Sequence, residues 1–151
     1  MHKEQRVFIK LNSGFDGFDG FYFSYNHMLL YQETTNVILN AFYEVYNTLG
    51  GEFVEKVYEN ALCLELKERG LHVENQKELR VFYKEQEVGL YKADIVVDEK
   101  IILELKAIKC IQPENEAQCI NYLKATGMKV GYVLNFGPDE PEFKRLVNLY
   151  P

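Results

Sequence analysis

Asp94, Glu104 and Lys106 interrupt two apolar runs in the second half of the chain, and their spacing is where chemistry would arise. The stretch reads Tyr91-Lys-Ala-Asp94-Ile-Val-Val-Asp-Glu-Lys-Ile-Ile-Leu-Glu104-Leu-Lys106-Ala. The runs on either side of Asp98-Glu99-Lys100 have the apolar and β-branched content of strands, and those three polar residues read as the turn between them. With a three-residue turn, Val97 pairs with Ile101 and Asp94 lies opposite Glu104. Lys106 then shares their face, because strand side chains alternate with period two. A two-residue turn would send the carboxylates to opposite faces. Charges inside buried strands are costly unless paired or bound to a cation, and two facing carboxylates repel unless a divalent ion joins them. Oxygen ligands with open water positions suit Mg2+ or Mn2+, and the backbone carbonyl of Leu105 would add one more ligand. Such an ion polarises a phosphoryl oxygen and lowers the pKa of a bound water. Lys106 would orient that water or neutralise charge developing in the transition state. The short pattern alone also reads as surface charge on an exposed strand. The neighbours Ile95, Val96, Val97, Ile101, Ile102, Leu103 and Leu105 speak against that, since they leave little polar face for solvent.

The elements that must hold this hairpin follow from periodicity. Val37, Ile38, Ala41, Phe42, Val45 and Tyr46 recur at spacings of three and four, which predicts an amphipathic helix over 34–49, ended by Gly50-Gly51. Val54, Val57, Tyr58, Ala61, Leu62 and Leu66 predict a second helix over 52–69, stopped by Gly70. An extended run over 71–73 and 79–83, bent near Gln76, precedes the hairpin strands over 89–97 and 101–107. Pro113 opens a helix that closes at Gly127, a strand covers 130–135, and a short closing helix is expected over 142–149. The order α-α-β-β-β-α-β-(α) is that of an α/β fold with a central mixed sheet flanked by helices.

The bulk properties narrow the setting. A length of 151 residues favours one domain, and 47% hydrophobic with 26% charged residues is an ordinary globular balance. Residues 1–27 differ, with a Phe-Asp-Gly repeat between Asn12 and Tyr25 whose composition breaks helices, so a loosely ordered extension is expected before a domain over 28–151. No apolar run approaches the roughly 18 residues of a membrane span. Cys63, Cys110 and Cys119 are far apart and lack metal or disulfide spacing, which fits reduced thiols in the cytoplasm. His2, His27 and His72 form no spaced ligand set. A net charge of −6 argues against a protein that coats nucleic acid by charge alone, yet it is compatible with a carboxylate metal site, where the bound cation reverses the local field.

Asp94…Glu104-Leu-Lys106 resembles the signature of the PD-(D/E)XK nuclease superfamily, with Ala93 where the named proline would stand. More of the chain resembles the GxxExxY family grouped with it. The matching stretches are Ala41-Phe-Tyr-Glu-Val-Tyr, Leu49-Gly-Gly-Glu-Phe-Val-Glu55-Lys-Val-Tyr58-Glu-Asn-Ala-Leu, Tyr91-Lys-Ala-Asp94, Ile102-Leu-Glu104-Leu-Lys106-Ala, Glu116-Ala-Gln118-Cys-Ile-Asn-Tyr122 through Gly127, and Leu134-Asn-Phe-Gly137. Together they span about residues 30–147. The glycine that names the motif falls at Glu52, and the glycines here precede it at Gly50 and Gly51.

The resemblance implies a restriction-endonuclease-like core and hydrolysis of nucleic-acid phosphodiesters with Mg2+ or Mn2+. DNA is favoured over RNA as the partner, and a homodimer or protein partner stays open. It implies Glu55 as a further acidic group near the metal, and Gln118 and Tyr122 as a QxxxY pair on one helix face that contacts the nucleic-acid backbone or supports Lys106. Gln76 resembles a family position on the first strand that meets substrate. Without the family, Glu55 reads as a solvated helix residue, Gln118 as a surface residue and Tyr122 as a core aromatic. The alternative to an enzyme is a nucleic-acid- or protein-interaction module that keeps this fold without turnover, a reading that the acidic charge and small size favour.

Overall fold

The computed structural model describes residues 30–148. The expected extension over 1–27 and the start of the expected domain lie outside the described residues. Helix α1 (Gln32–Leu49) and helix α2 (Glu55–Glu68) come first, then strands β1 (Val73–Tyr83), β2 (Gln86–Val97) and β3 (Ile101–Lys106), helix α3 (Pro113–Thr126), and strands β4 (Val130–Phe136) and β5 (Pro141–Val147). The five strands form one sheet in sequence order. Only β3 and β4 run parallel, with α3 crossing between them, and the other three pairings are antiparallel.

The two faces of the sheet carry separate cores. Helices α1 and α2 bury Ile38, Phe42, Tyr58, Leu62 and Leu66 against Ile95, Val97, Ile101, Leu103, Leu105, Leu134 and Phe136. Helix α3 buries Cys119, Tyr122 and Leu123 against Leu79, Ala93, Val96, Ile102, Val133 and Leu146. The middle strands β3 and β4 are covered on both sides, and for that reason they read as unbroken apolar runs rather than alternating ones.

Two boundaries differ from the periodicity. Helix α2 begins at Glu55, three residues later than its apolar stripe predicts, because Glu52 takes a φ of 75° and turns the chain away from helical geometry. The last element is a strand, not the expected short helix. Phe143 and Leu146 are three apart and would share a helix face, but here they enter opposite cores. A lone helix of that length is marginal, whereas pairing along β4 from Val130↔Val147 to Phe136↔Pro141 satisfies an open sheet edge.

One close approach ties the α1–α2 loop to the sheet. A side chain at Gly51 would meet the Pro138 carbonyl oxygen at 2.7 Å, so only glycine fits. The Tyr46 hydroxyl donates to the Gly137 carbonyl at 3.0 Å, and the Tyr58 hydroxyl donates to the Gly50 carbonyl at 2.6 Å. Tyr58 is fully buried and stacks on Phe136 with centroids 4.3 Å apart. These contacts fix the first turn of α2 at one end of the sheet.

Candidate active site

The hairpin has the expected three-residue turn: Val97 pairs with Ile101, and the ladder runs through Val96↔Ile102 to Ile95↔Leu103. Asp94 and Glu104 come just beyond the last pair, near enough for the charge of Asp94 to act on Glu104. There the ladder stops. The Asp94 carboxylate reaches across instead, and its Oδ2 accepts the Leu105 N–H at 2.8 Å. The side-chain alternation of β2 slips at the same point: Ala93 belongs to the core under α3 and Ile95 to the core under α1 and α2, though period two would put them together. The site thus lies where β2 and β3 part, open to groups from both layers.

Glu104 is 3% exposed. Its Oε1 lies 3.3 Å from the Lys106 ammonium, and its Oε2 is buried with no hydrogen-bond partner. Burial, with Asp94 beside it, pushes the Glu104 carboxyl up from 4.5 to about 8, against the pull of Lys106. Burial also raises Asp94, while the Leu105 N–H holds it down in part. Glu55, the first residue of α2, is raised by burial and by the field of Asp94. The positive end of that helix offsets part of this repulsion.

Lys106 also donates to Gln118 Oε1 at 3.3 Å, and Gln118 Nε2 donates to the Tyr122 hydroxyl at 2.8 Å. The structure therefore brings Asp94, Glu104, Leu105, Lys106, Glu55, Gln118 and Tyr122 to one end of the sheet. Gln76 is there too, beside Asp94. It takes a φ of 52° within β1, where the strand was expected to bend, and its Nε2 donates to Asp94 Oδ1 at 3.3 Å and to Glu59 Oε2 at 2.9 Å.

Glu59 is the residue that the sequence reading missed. It is 4% exposed and also pairs with Lys56 at 2.8 Å. A signal was available: Glu59 lies one helical turn after Glu55, and it falls among the buried positions Tyr58, Leu62, Cys63 and Leu66. A carboxylate within a buried stripe needs partners.

The donor set suits a hard divalent cation. An orphaned buried carboxylate oxygen beside a second carboxylate and a strand carbonyl is oxygen-only chemistry. Among the described residues no group of three or more Asp, Glu, His or Cys side chains is placed to hold a metal ion, so any cation here would rest on Asp94, Glu104 and non-side-chain oxygens. The three cysteines take no part in a disulfide; Cys63 and Cys119 are buried and Cys110 is exposed. No described helix is long and apolar enough to cross a membrane.

No curated protein matches the sequence. A solved structure titled "Crystal structure of SSO0001" is similar at 15% identity and a TM-score of 0.48, with 64% of this chain and 50% of that one covered, so this chain spans about half of its length. Residues 32–146 match the PD-(D/E)XK nuclease superfamily, a stretch that contains every element from α1 to β5 apart from the last residue of β5. The chain belongs to the PD-(D/E)XK nuclease superfamily.

Proposed function

We propose that this chain is a metal-dependent nuclease of the GxxExxY kind, which hydrolyses nucleic-acid phosphodiesters at the parting of β2 and β3. The observation that carries the reading is the buried, unpartnered Oε2 of Glu104 beside Asp94 and Lys106. A fully desolvated acceptor without a donor is expensive, and a divalent cation would relieve it. Asp94, Glu104 and the Leu105 carbonyl would hold Mg2+ or Mn2+, with Glu55 as the additional carboxylate. When bound, the ion supplies Lewis acidity toward the phosphoryl group and the attacking water.

The chain's own residues do the rest. Asp94 is locked in place by the Leu105 N–H and by Gln76, so its orientation is set before substrate arrives. Lys106 is held between Glu104 and Gln118 and presents its ammonium where negative charge would develop on a phosphate. Gln118 positions Lys106, and Tyr122 positions Gln118, so the QxxxY pair supports the lysine. Glu52 stands where the GxxExxY motif has its glycine, and its φ of 75° is one that glycine adopts without strain. The preferred partner is DNA, and the three free thiols fit work in the cytoplasm.

A second reading, an interaction module that keeps the fold without turnover, draws on the net charge of −6. Calorimetric titration of Mn2+ separates the two, run on wild type and Asp94→Ala, alone and with a phosphorothioate oligonucleotide present. Saturable binding in wild type and none in Asp94→Ala is expected. No Mn2+ binding to wild type under either condition would end the metal-site reading.

A further inference from the structure

Beside Lys106, the surface between α3 and the outer half of β2 is hollowed into a cavity of about 280 Å3, lined by Tyr91, Glu114, Ala117, Gln118, Asn121 and Tyr122. It adjoins the carboxylate site through a shared side chain. Gln118 accepts from Lys106 with its oxygen and donates to the Tyr122 hydroxyl with its nitrogen, so the cavity begins where the ammonium ends. Tyr91 forms the outer wall. It is 39% exposed, and its ring centre lies 5.4 Å from that of Tyr122 at a tilt of 48°. β3 no longer flanks β2 at this level, which leaves the Tyr91 ring reachable from solvent.

The lining's chemistry restricts the occupant. It holds two phenol rings, two primary amides and one carboxylate, but no lysine or arginine. Glu114 would repel a phosphate, and nothing in the wall would neutralise one. A flat, uncharged heteroaromatic ring with amino and carbonyl groups on its edge suits these walls. Aromatic rings stack on either of its faces, a carboxylate accepts from an exocyclic amino group, and an amide pairs with adjacent donor and acceptor atoms. Such a ring comes attached to the phosphate that Lys106 would hold.

We propose that this cavity seats an unpaired nucleobase of the substrate strand, stacked on Tyr91, next to the phosphate at the Asp94–Glu104–Lys106 site. The inference rests on the nuclease reading above and names its substrate class. Inside a duplex both faces of a base are covered by its neighbours, so the strand must be single, or open at the cleaved position. Tyr91, Glu114 and Asn121 are then substrate-binding residues, and Glu114 favours bases that carry an amino group.

Fluorescence anisotropy tests this with a dye-labelled, phosphorothioate-linked single strand, a blunt duplex of the same sequence, and a single strand that lacks bases. Full-length wild type, Tyr91→Phe and Tyr91→Ala are compared in Mn2+. The partly exposed position of Tyr91 lets the alanine variant fold, and its melting temperature checks that. Loss of one stacked base should weaken single-strand binding by about tenfold in Tyr91→Ala. Tyr91→Phe, which keeps the ring, should bind as wild type does, and the baseless strand should bind wild type and Tyr91→Ala equally. If wild type binds the single strand and Tyr91→Ala binds it as tightly, or if both variants lose duplex binding to the same extent, the base seat is overturned while the nuclease reading stands. If wild type binds none of the three probes, both fall together.

Discussion

Strand β2 is two strands in one. Its outer half, up to Lys92, pairs only with β1 and forms a ribbon on which Phe82, Tyr83, Val88, Leu90 and Tyr91 are exposed. Its inner half, from Ile95, lies between β1 and β3, and there Ile95, Val96 and Val97 are completely buried. Asp94 sits at the change of character. The contrast explains how two carboxylates come to lie inside a sheet. In the inner half, backbone groups are consumed by ladders on both sides and side chains by the two cores, so a charge there would have no partner. In the outer half a charge would simply be solvated. At the junction the ladder has ended, the Leu105 N–H is available to a side chain, and groups from both layers can reach the opening. Burial, and then the charge of Asp94, raises the Glu104 carboxyl, and the Leu105 N–H keeps Asp94 oriented.

The largest effect should come from removing the charge at the junction. Glu104→Gln is expected to abolish metal-dependent cleavage and to leave the metal-free melting temperature unchanged or higher, because the amide is neutral where burial and Asp94 already disfavour a charge. The pH dependence gives the sign. The folded-state value of Glu104 is about 8 against 4.5 for an unperturbed carboxyl, so the folded protein holds a proton that the unfolded chain releases. That contribution to stability is fully present below pH 4.5 and is lost as pH rises through about 8. Metal-free wild type should therefore lose melting temperature over that window relative to Glu104→Gln, and Mn2+ should reverse the loss. Parallel pH profiles for the two proteins would show that Glu104 is ionised throughout. A glutamine variant that unfolds would make Glu104 a structural group.

The two halves of β2 should also answer differently to the same cavity. Ile95→Ala in the inner half should cost about 2–5 kcal/mol in denaturant unfolding. Leu90→Ala in the outer half, 52% exposed, should stay within about 0.5 kcal/mol of wild type. Similar losses at the two sites would mean that the outer ribbon is covered in solution, by a second copy or a partner, and the contrast would fail.

How far the sequence carried depends on which physics was local. The hairpin register was legible because Asp98-Glu99-Lys100 is a polar turn between apolar runs, and its length decides the face of every later residue. Helix α3 was legible from its ends, with Pro113 at the start and Gly127 in the left-handed region at the close. The split of β2 was not, since Tyr91-Lys-Ala-Asp94-Ile-Val reads as one strand and nothing local says where β3 leaves it. The closing strand is not legible locally, since Phe143 and Leu146 are also compatible with a helical spacing and only the open edge of β4 decides between the alternatives. Gln76 was noticed, but its partners are 17 and 18 residues away in sequence. Glu59 carries no motif of its own, and only its place among the buried positions Tyr58, Leu62 and Cys63 sets it apart.

Glu59 is where the remaining effect should appear, smaller because it acts through other groups. The amide nitrogen of Gln76 has two hydrogens and faces two acceptors, Glu59 Oε2 at 2.9 Å and Asp94 Oδ1 at 3.3 Å. The bridge works only while both neighbours accept. In Glu59→Gln the new amide can offer its oxygen to Lys56 or to Gln76, but not to both. If Lys56 keeps the oxygen, two NH2 groups meet, and Gln76 must turn its carbonyl toward Glu59→Gln and lose its donor to Asp94. Asp94 would then rest on the Leu105 N–H alone, free to rotate about that bond. Positioning groups of this kind typically carry 10- to 100-fold in metal affinity or activity, so a fall of roughly tenfold in Mn2+ affinity is expected. Melting temperature should move little, since Lys56 is exposed and its pair with Glu59 is a weak contributor. A charge effect alone would make Glu59→Gln tighten Mn2+ less but leave Gln76→Ala untouched. Through the bridge, Gln76→Ala must weaken Mn2+ by a similar factor, and the double variant must be no worse than either single one. Additive losses would break the bridge and leave Glu59 as a buried charge that the site merely tolerates.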